Sequence, residues 1–238
     1  MSLEFVRNKV KQHGYWRVLI RPSTFRTERI ANILELEPIL DRLSVRLRGW
    51  DFPHIDHRNQ VTVGKSWIEQ DTDWEMYVES WRFYQTGQFI HYDGFKEDWL
   101  HQARQLGRSQ DFEPGEKLAV VSALFRFTEV FEFAKRFAFS EVGDPSVHVE
   151  IGLSGLQNRT LWLDSETRAP FFRDYTAAIP EFKQSGEHSQ EELAAESRSL
   201  SRRYAQELFR RFGWDPSIDA LRSMQDELDR FTRIGQTP

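Results

Sequence analysis

The 238-residue chain contains no cysteine. That excludes a disulfide framework, a thiolate metal site and a cysteine nucleophile. No apolar run approaches the ~20 residues needed to cross a bilayer. The opening segment MSLEFVRNKVKQ lacks the apolar core of a signal peptide. The glycine-bearing catalytic motifs are missing as well: there is no G-x-x-x-x-G-K-[ST], no G-x-G-x-x-G and no G-x-S-x-G. Ser154 in GLSGL has glycines beside it, but not at the elbow spacing. Glu150 lacks the lysine two residues on that a restriction-nuclease site would use, because position 152 is Gly. Internal repeats and low-complexity segments are absent. These absences lead to the expectation of a soluble cytoplasmic protein with no cofactor and no membrane partner.

Acidic charge prevails, at −5 overall, but it is uneven. Residues 1–50 carry ten Lys/Arg and five Asp/Glu, a balance of +5; the other 188 carry 22 and 32, a balance of −10. Such a chain does not coat nucleic acid generally, yet it leaves room for one local anion-binding face.

The densest stretch is Ser44 to Phe95, which holds Trp50, Trp67, Trp74 and Trp81, half of the chain's eight tryptophans. Val45, Leu47 and Gly49 alternate with Arg46, Arg48 and Trp50, which predicts a strand ending near Phe52, before Pro53. A polar loop follows, then a short strand at 61–63. Gln85-Thr86-Gly87-Gln88 has the composition of a hairpin turn between Trp81–Tyr84 and Phe89–Tyr92. Trp74, Tyr77, Val78, Trp81 and Tyr84 also fit a helical stripe. The turn and the aromatic density favour strands, with a bulge between Val78 and Trp81 to explain the change of parity.

The strings RLRGWDFPHI and WRFYQTGQFIHYDGF resemble the core of a family of uncharacterised bacterial proteins. VHVEIGLSGLQNRTLWL and YAQELFRRFGW extend the resemblance over most of the chain. It implies a bacterial origin and one recurring domain, and it carries over no catalytic residue.

Along the rest of the chain, a short helix is expected at 3–12, with Leu3, Val6 and Val10 as its apolar line. A strand follows over Tyr15–Arg21, then a helix over Ile33–Leu43. Lys96–Leu106 reads as a helix and Asp111–Glu116 as a loop. Lys117–Phe139 has no Gly or Pro and is apolar around most of its circumference, so it must be covered on most sides. Its polar residues Ser122, Arg126, Glu129, Glu132 and Arg136 form one narrow stripe. Val147–Leu153 and Thr160–Leu163 suggest a second hairpin. Ser185–Gln190 reads as a flexible linker. Ser189 and Glu192 have capping-box spacing for a helix over 190–211. Asp215-Pro216 then opens a last helix lined by Leu221, Met224, Leu228 and Phe231. The expected fold is α+β: an antiparallel sheet packed on a long apolar central helix at 117–139, within 1–184. A C-terminal helical pair at 190–231 docks on it, anchored by Phe212 and Trp214.

Three groups of residues carry candidate chemistry. Arg17, Arg21, Arg46 and Arg48 would share one sheet face if their strands pair, and guanidinium forks suit phosphate or carboxylate. His54, Asp56 and His57, with Asp51, are metal-ligand types on one loop, and His91 or Asp93 could complete a set. Their spacing matches no metalloenzyme pattern, and a polar surface loop explains them better. Asp71, Asp73 and Glu75 form an acidic run on one short segment, better suited to a solvated strand end than to a two-metal centre. Trp50, Trp67, Trp74, Trp81 and Tyr84 suit a core more than a binding platform. The leading expectation is a non-catalytic interaction or sensing domain that acts with a partner protein. The alternatives are a nucleic-acid-binding accessory protein using the arginine face, and a metal-dependent hydrolase centred on His54, Asp56 and His57.

Overall fold

The computed structural model of the chain describes residues 3–100, 113–165 and 168–234. In chain order its helices are α1 (Leu3–Val10), α2 (Leu36–Leu43), α3 (Val120–Ala138), α4 (Gln190–Arg210) and α5 (Ile218–Ile234). Its strands are β1 (Tyr15–Pro22), β2 (Thr62–Val63), β3 (Trp67–Trp74), β4 (Tyr77–Tyr84), β5 (Phe89–Gly94), β6 (Lys117–Ala119), β7 (Ser146–Ser154), β8 (Thr160–Trp162) and β9 (Glu181–Ser189). Seven of them form one antiparallel sheet in the order β2-β3-β4-β5-β1-β7-β9. Strands β6 and β8 form a separate parallel pair. The fold is α+β, with the long helix α3 on the inner sheet face and a helical pair at the C-terminus.

Alternation sets the two faces. In β1, Trp16, Val18 and Ile20 are buried on the inner face, while Arg17, Leu19 and Arg21 stand half-buried on the outer one. In β7, Val147, Val149, Ile151 and Leu153 continue the inner layer. The hairpin β4–β5 closes through Gly87 at φ +85°, where a side chain would be strained. Residues 77–84 are therefore a strand, and its register against both neighbours runs without a bulge. The change of parity has another cause: both faces are covered. Val78 packs outward with Val6 and Val10 of α1, and Trp81 packs inward.

Helix α3 is sandwiched between the sheet and the C-terminal pair. Phe131 is fully buried and meets Tyr204 of α4 edge-on at 4.9 Å. Gln225 of α5, also fully buried, donates to Thr128 of α3 and Ser201 of α4, each at 2.8 Å. One amide thus ties three helices in a layer where unpaired polar atoms are costly.

Several expectations are corrected. Residues 44–50 form no sheet strand; only one bridge joins Val45 to Phe52. Gly49, at φ +78°, turns the chain, and Arg48 and Trp50 leave the strand path for buried carboxylates. The hairpin over 147–163 does not form: β7 pairs with β1 and β9, and β8 joins β6. Residues 117–119 are strand β6, and the helix begins after it, where Asp164 accepts from the amides of Val121 (2.6 Å) and Ser122 (2.9 Å). Ser189 caps α4 as expected, accepting from Glu192 N at 3.1 Å, but Ser185–Ser189 is no linker. It is the end of edge strand β9, paired with β7 along its length. Ser217, rather than Asp215, caps α5, accepting from Ala220 N at 3.1 Å. Residues 96–100 form a 3-10 turn; the remainder of the expected helix to Leu106 lies outside the described residues, as do the side chains of Leu3 and Phe231.

Replacing Phe131 with Ala is expected to cost ~3–5 kcal/mol, measured by denaturant unfolding, because the residue is fully buried in a two-sided layer. Amides from Leu124 to Phe133 should exchange slowly, and 185–189 should resist limited proteolysis. Early cleavage there would contradict the pairing of β9.

Candidate functional site

The dense stretch of the sequence and α3 converge on one ionic cluster beneath the sheet. Alternation brings Glu79 of β4 and Asp93 of β5 into register on the inner face, with His91 one row away. Helix α3 lowers Arg126 and Glu129 onto them. The loop after α2 adds Arg48 and Trp50, and the turn after β5 adds Lys96. Arg126 meets Asp93 at 2.5 Å and Glu129 at 3.3 Å. Arg48 binds Glu129 through two parallel bonds of 2.7 Å, the fork geometry that suits guanidinium and carboxylate. Glu79 receives Trp50 Nε1 at 2.6 Å and faces His91 Nε2 at 2.6 Å. His91 is fully buried, and its Nδ1 has no hydrogen-bond partner.

The charges in this layer control one another. Burial pushes the Glu79 carboxyl up, but His91, the Arg126 charge and the Trp50 N–H together hold it below its ordinary value. Glu129 is held down in the same way by Arg48 and Arg126 against burial. At Asp93 burial wins over Arg126 and the carboxyl is raised. Burial, with Arg48 and Arg126 nearby, lowers the Lys96 ammonium to about 8. The neighbouring Glu97 is pushed up to about 7 by burial while accepting from Ala119 N at 2.6 Å.

An aromatic stack roofs the cluster. Trp50 lies between His54 (3.8 Å) and Tyr77 (3.9 Å), nearly parallel to both, and Lys96 sits over the Tyr77 ring at 4.4 Å. Trp74 continues the stack at 5.7 Å and is half exposed. Of the other aromatics expected in the core, Trp81 is buried, while Trp67 and Tyr84 lie half-buried on the outer face around Arg82.

The metal-ligand types on the loop do not converge. His54 is stacked on Trp50; Asp56 pairs with Arg58 at 2.9 Å, which lowers its carboxyl to about 2; His57 faces Asp41 at 3.5 Å. Asp51 faces Arg46 at 3.2 Å. Among the described residues no group of three or more His, Asp or Glu side chains is arranged to hold a metal ion. Of the acidic run, Asp71 is pushed up to about 6 by burial and Asp73 pairs with Lys9 at 2.5 Å. Glu75 occupies the tight β3–β4 turn at φ +53°.

The four arginines also separate. Arg17 and Arg21 share the outer face of β1, where Arg17 pairs with Glu150 and Arg21 stands 3.9 Å from Glu187. Arg46 stays on the loop with Asp41 (3.0 Å) and Asp51, and Arg48 turns inward to Glu129. Arg82 of β4 and Arg7 of α1 bear on the outer face instead, both bonded to Glu69 Oε2. Sequence reasoning missed Arg126 and Glu129 as site residues, placing them only in one narrow polar stripe on the helix. The available signal was a charge pair three residues apart in a helix that had to be covered.

A third feature lies at the foot of the helical pair. Leu163, Pro170, Phe171, Tyr175, Trp214 and Met224 line an open groove of about 840 Å³. Trp214 meets Phe171 at 4.9 Å and Phe209 at 5.2 Å, while Phe172 is fully exposed beside them.

Lys96 supplies a test of the cluster. Its ammonium is disfavoured in the folded state, so the cost is present below pH 8 and fades as pH rises from 8 to 10.5, where the unfolded chain also loses the proton. Lys96→Met should therefore raise stability by ~3 kcal/mol at pH 7, a gain that shrinks over that window in denaturant titrations. A constant or negative difference would show that the ammonium is not desolvated. Comparison with protein families, curated proteins and solved structures finds no match for this chain.

Proposed function

We propose that the chain is a non-catalytic interaction or sensing domain that works with a partner protein. The observation that carries this reading is the aromatic groove at the foot of α4 and α5. Phe172 gains nothing from standing fully in water beside a groove already lined by Phe171, Tyr175 and Trp214. Aromatic anchors with arginine at the edge have the composition of interface hot spots, and Arg168 and Arg173 supply that edge here. Arg168 is held in place by Glu227, at 2.6 Å, and by Ser223. The ionic cluster supports the same reading from another side. Its carboxylates and guanidiniums are spent on one another, fixing the loop and its aromatic roof.

The other two readings draw less support. Arg17 and Arg21 each face a carboxylate, so the outer sheet face alternates in sign where nucleic acid calls for a basic stripe. His54, Asp56 and His57 face different partners.

The test uses the purified chain and a Phe172→Asp variant. Wild type should retain one defined protein from a bacterial extract, confirmed by titration with that protein once purified. The variant should bind it at least ~10-fold more weakly, the scale of losing a hot-spot anchor, with an unchanged melting temperature. Equal binding by the variant would remove the groove from the reading. Co-purified nucleic acid or stoichiometric metal, seen by absorbance ratio and elemental analysis, would favour the alternatives.

A further inference from the structure

We propose that the outer face of the sheet binds a small oxyanion, the head group of a phosphate or a carboxylate, between Arg7 of α1 and Arg82 of β4. This site is independent of the aromatic groove. It is a cavity of about 70 Å³ whose walls include Arg7, Ser80, Arg82, Tyr84, Ile90 and Tyr92. That is several times the space one water needs.

Three observations converge on an anion. First, donors outnumber acceptors. Among the described residues Arg7 makes a single long bond, from Nη2 to Glu69 at 3.4 Å, and its buried Nε has no partner. Arg82 donates Nε to the same carboxylate oxygen at 2.6 Å, and its Nη2 stands 2.5 Å from that oxygen. Two guanidiniums thus share one carboxylate. Second, Ser80 is 1% exposed and its Oγ makes no well-formed hydrogen bond, although Asp71 stands directly across the strand pair. Buried polar atoms without partners at the rim of a cavity are what a bound polar group would satisfy. Third, the cationic groups are held in place. Arg82 lies over Trp67 at 4.2 Å and reaches Tyr84 Oη at 3.4 Å, while Lys11 sits over Tyr92 at 5.2 Å and adds a further positive charge.

Asp71 makes the site sensitive to pH. It is faced by Arg7 from α1, Glu69 from its own strand, and Ser80 and Arg82 from β4; the adjoining Lys9 and Asp73 neutralise each other. Burial pushes its carboxyl up to about 6, against Ser80 and the two arginines. Below that pH, Arg7, Lys11 and Arg82 against Glu69 leave two net positive charges. Above it Asp71 removes one of them and repels an anion. Affinity should fall as pH rises through 6.

The experiment titrates the full chain with sulfate, a tetrahedral anion, and with formate, a carboxylate, against chloride at matched ionic strength, at pH 5 and pH 8. Melting temperature and the backbone amide shifts of Ser80, Arg82 and Tyr92 are followed. A saturable response to either anion, tighter at pH 5, supports the site; the stronger anion identifies the head group. Arg7→Gln, in a partly exposed side chain, should weaken binding at least ~10-fold, as loss of a charge-assisted hydrogen bond predicts. Asp71→Asn should abolish the pH dependence. If neither anion moves those wild-type amides beyond chloride, or if Arg7→Gln binds equally well, the proposal is wrong. The amide shifts need no variant, so they decide the question even if a substitution disturbs folding.

Discussion

A guanidinium cannot enter a dry layer alone. Arg126 is 4% exposed, between a seven-stranded sheet and a covered helix, and the desolvation of such an ion exceeds what any one contact returns. The structure meets that constraint with Asp93 from below and Glu129 from the same helix. Glu129, fully buried itself, draws Arg48 inward, and Arg48 brings the loop after α2 with it. Trp50 follows, because its indole N–H is the second donor that Glu79 needs beside His91. The path of residues 44–58 is thus dictated by charge pairing more than by strand propensity. Gln70 completes the attachment by accepting from Asp56 N and donating to the Asp56 and Asn59 carbonyls.

The turn after β5 extends this logic to the rest of the molecule. Three consecutive ionisable residues go to three destinations. Lys96 joins the inner cluster, Glu97 binds the last amide of β6, and Asp98 pairs with Arg159 in a two-pronged contact at 2.8 and 2.5 Å. Asp98 also accepts from Gly14 N and Gly115 N, and Arg159 donates to Lys117 O. The start of β1, the entrance to β6 and the loop before β8 therefore meet at one buried pair. Gly14 is obligatory there, because a Cβ would stand 2.2 Å from the Phe95 ring. Removing either partner of such a pair would leave the other charge buried and uncompensated, which is why these ties resist piecemeal change.

Periodicity made much of the fold legible. β1, the β4–β5 hairpin, the long helix and the Ser189 cap all follow from spacing that burial enforces. The failures have physical reasons in particular residues. Arg46 and Arg48 alternate like a strand, but the buried partner of Arg48 lies on a helix more than 70 residues away, and no local pattern encodes that distance. Strand β9 reads EFKQSGEHS because it is an edge, where polar residues blunt further pairing; the same polarity imitates a linker. Val78 breaks parity because α1 covers the outer face at that point. The candidate site was visible as composition, in the crowding of Trp, His and charge between 44 and 95. Its geometry was not, since Arg126 and Glu129 come from α3 and Arg7 from α1.

Strand β4 carries both polar layers. Its alternate residues send Glu79 and Trp81 inward, and Ser80 and Arg82 outward. The two sides differ in what their charges can do. Inside, Glu79 and Glu129 are surrounded by donors and sealed beneath an aromatic roof, so their pairing stabilises one conformation and leaves little for a ligand. Outside, Glu69 serves two arginines, Arg7 keeps donors without acceptors, and a cavity separates helix from sheet. Because the layers share one rigid strand, an ion that drew Arg82 and Ser80 together would act on the strand that positions Glu79. Coupling between an outer ligand and the aromatic roof would then pass through β3 and β4, which carry Trp74 and Tyr77, and the constraint on the inner charges resists displacement.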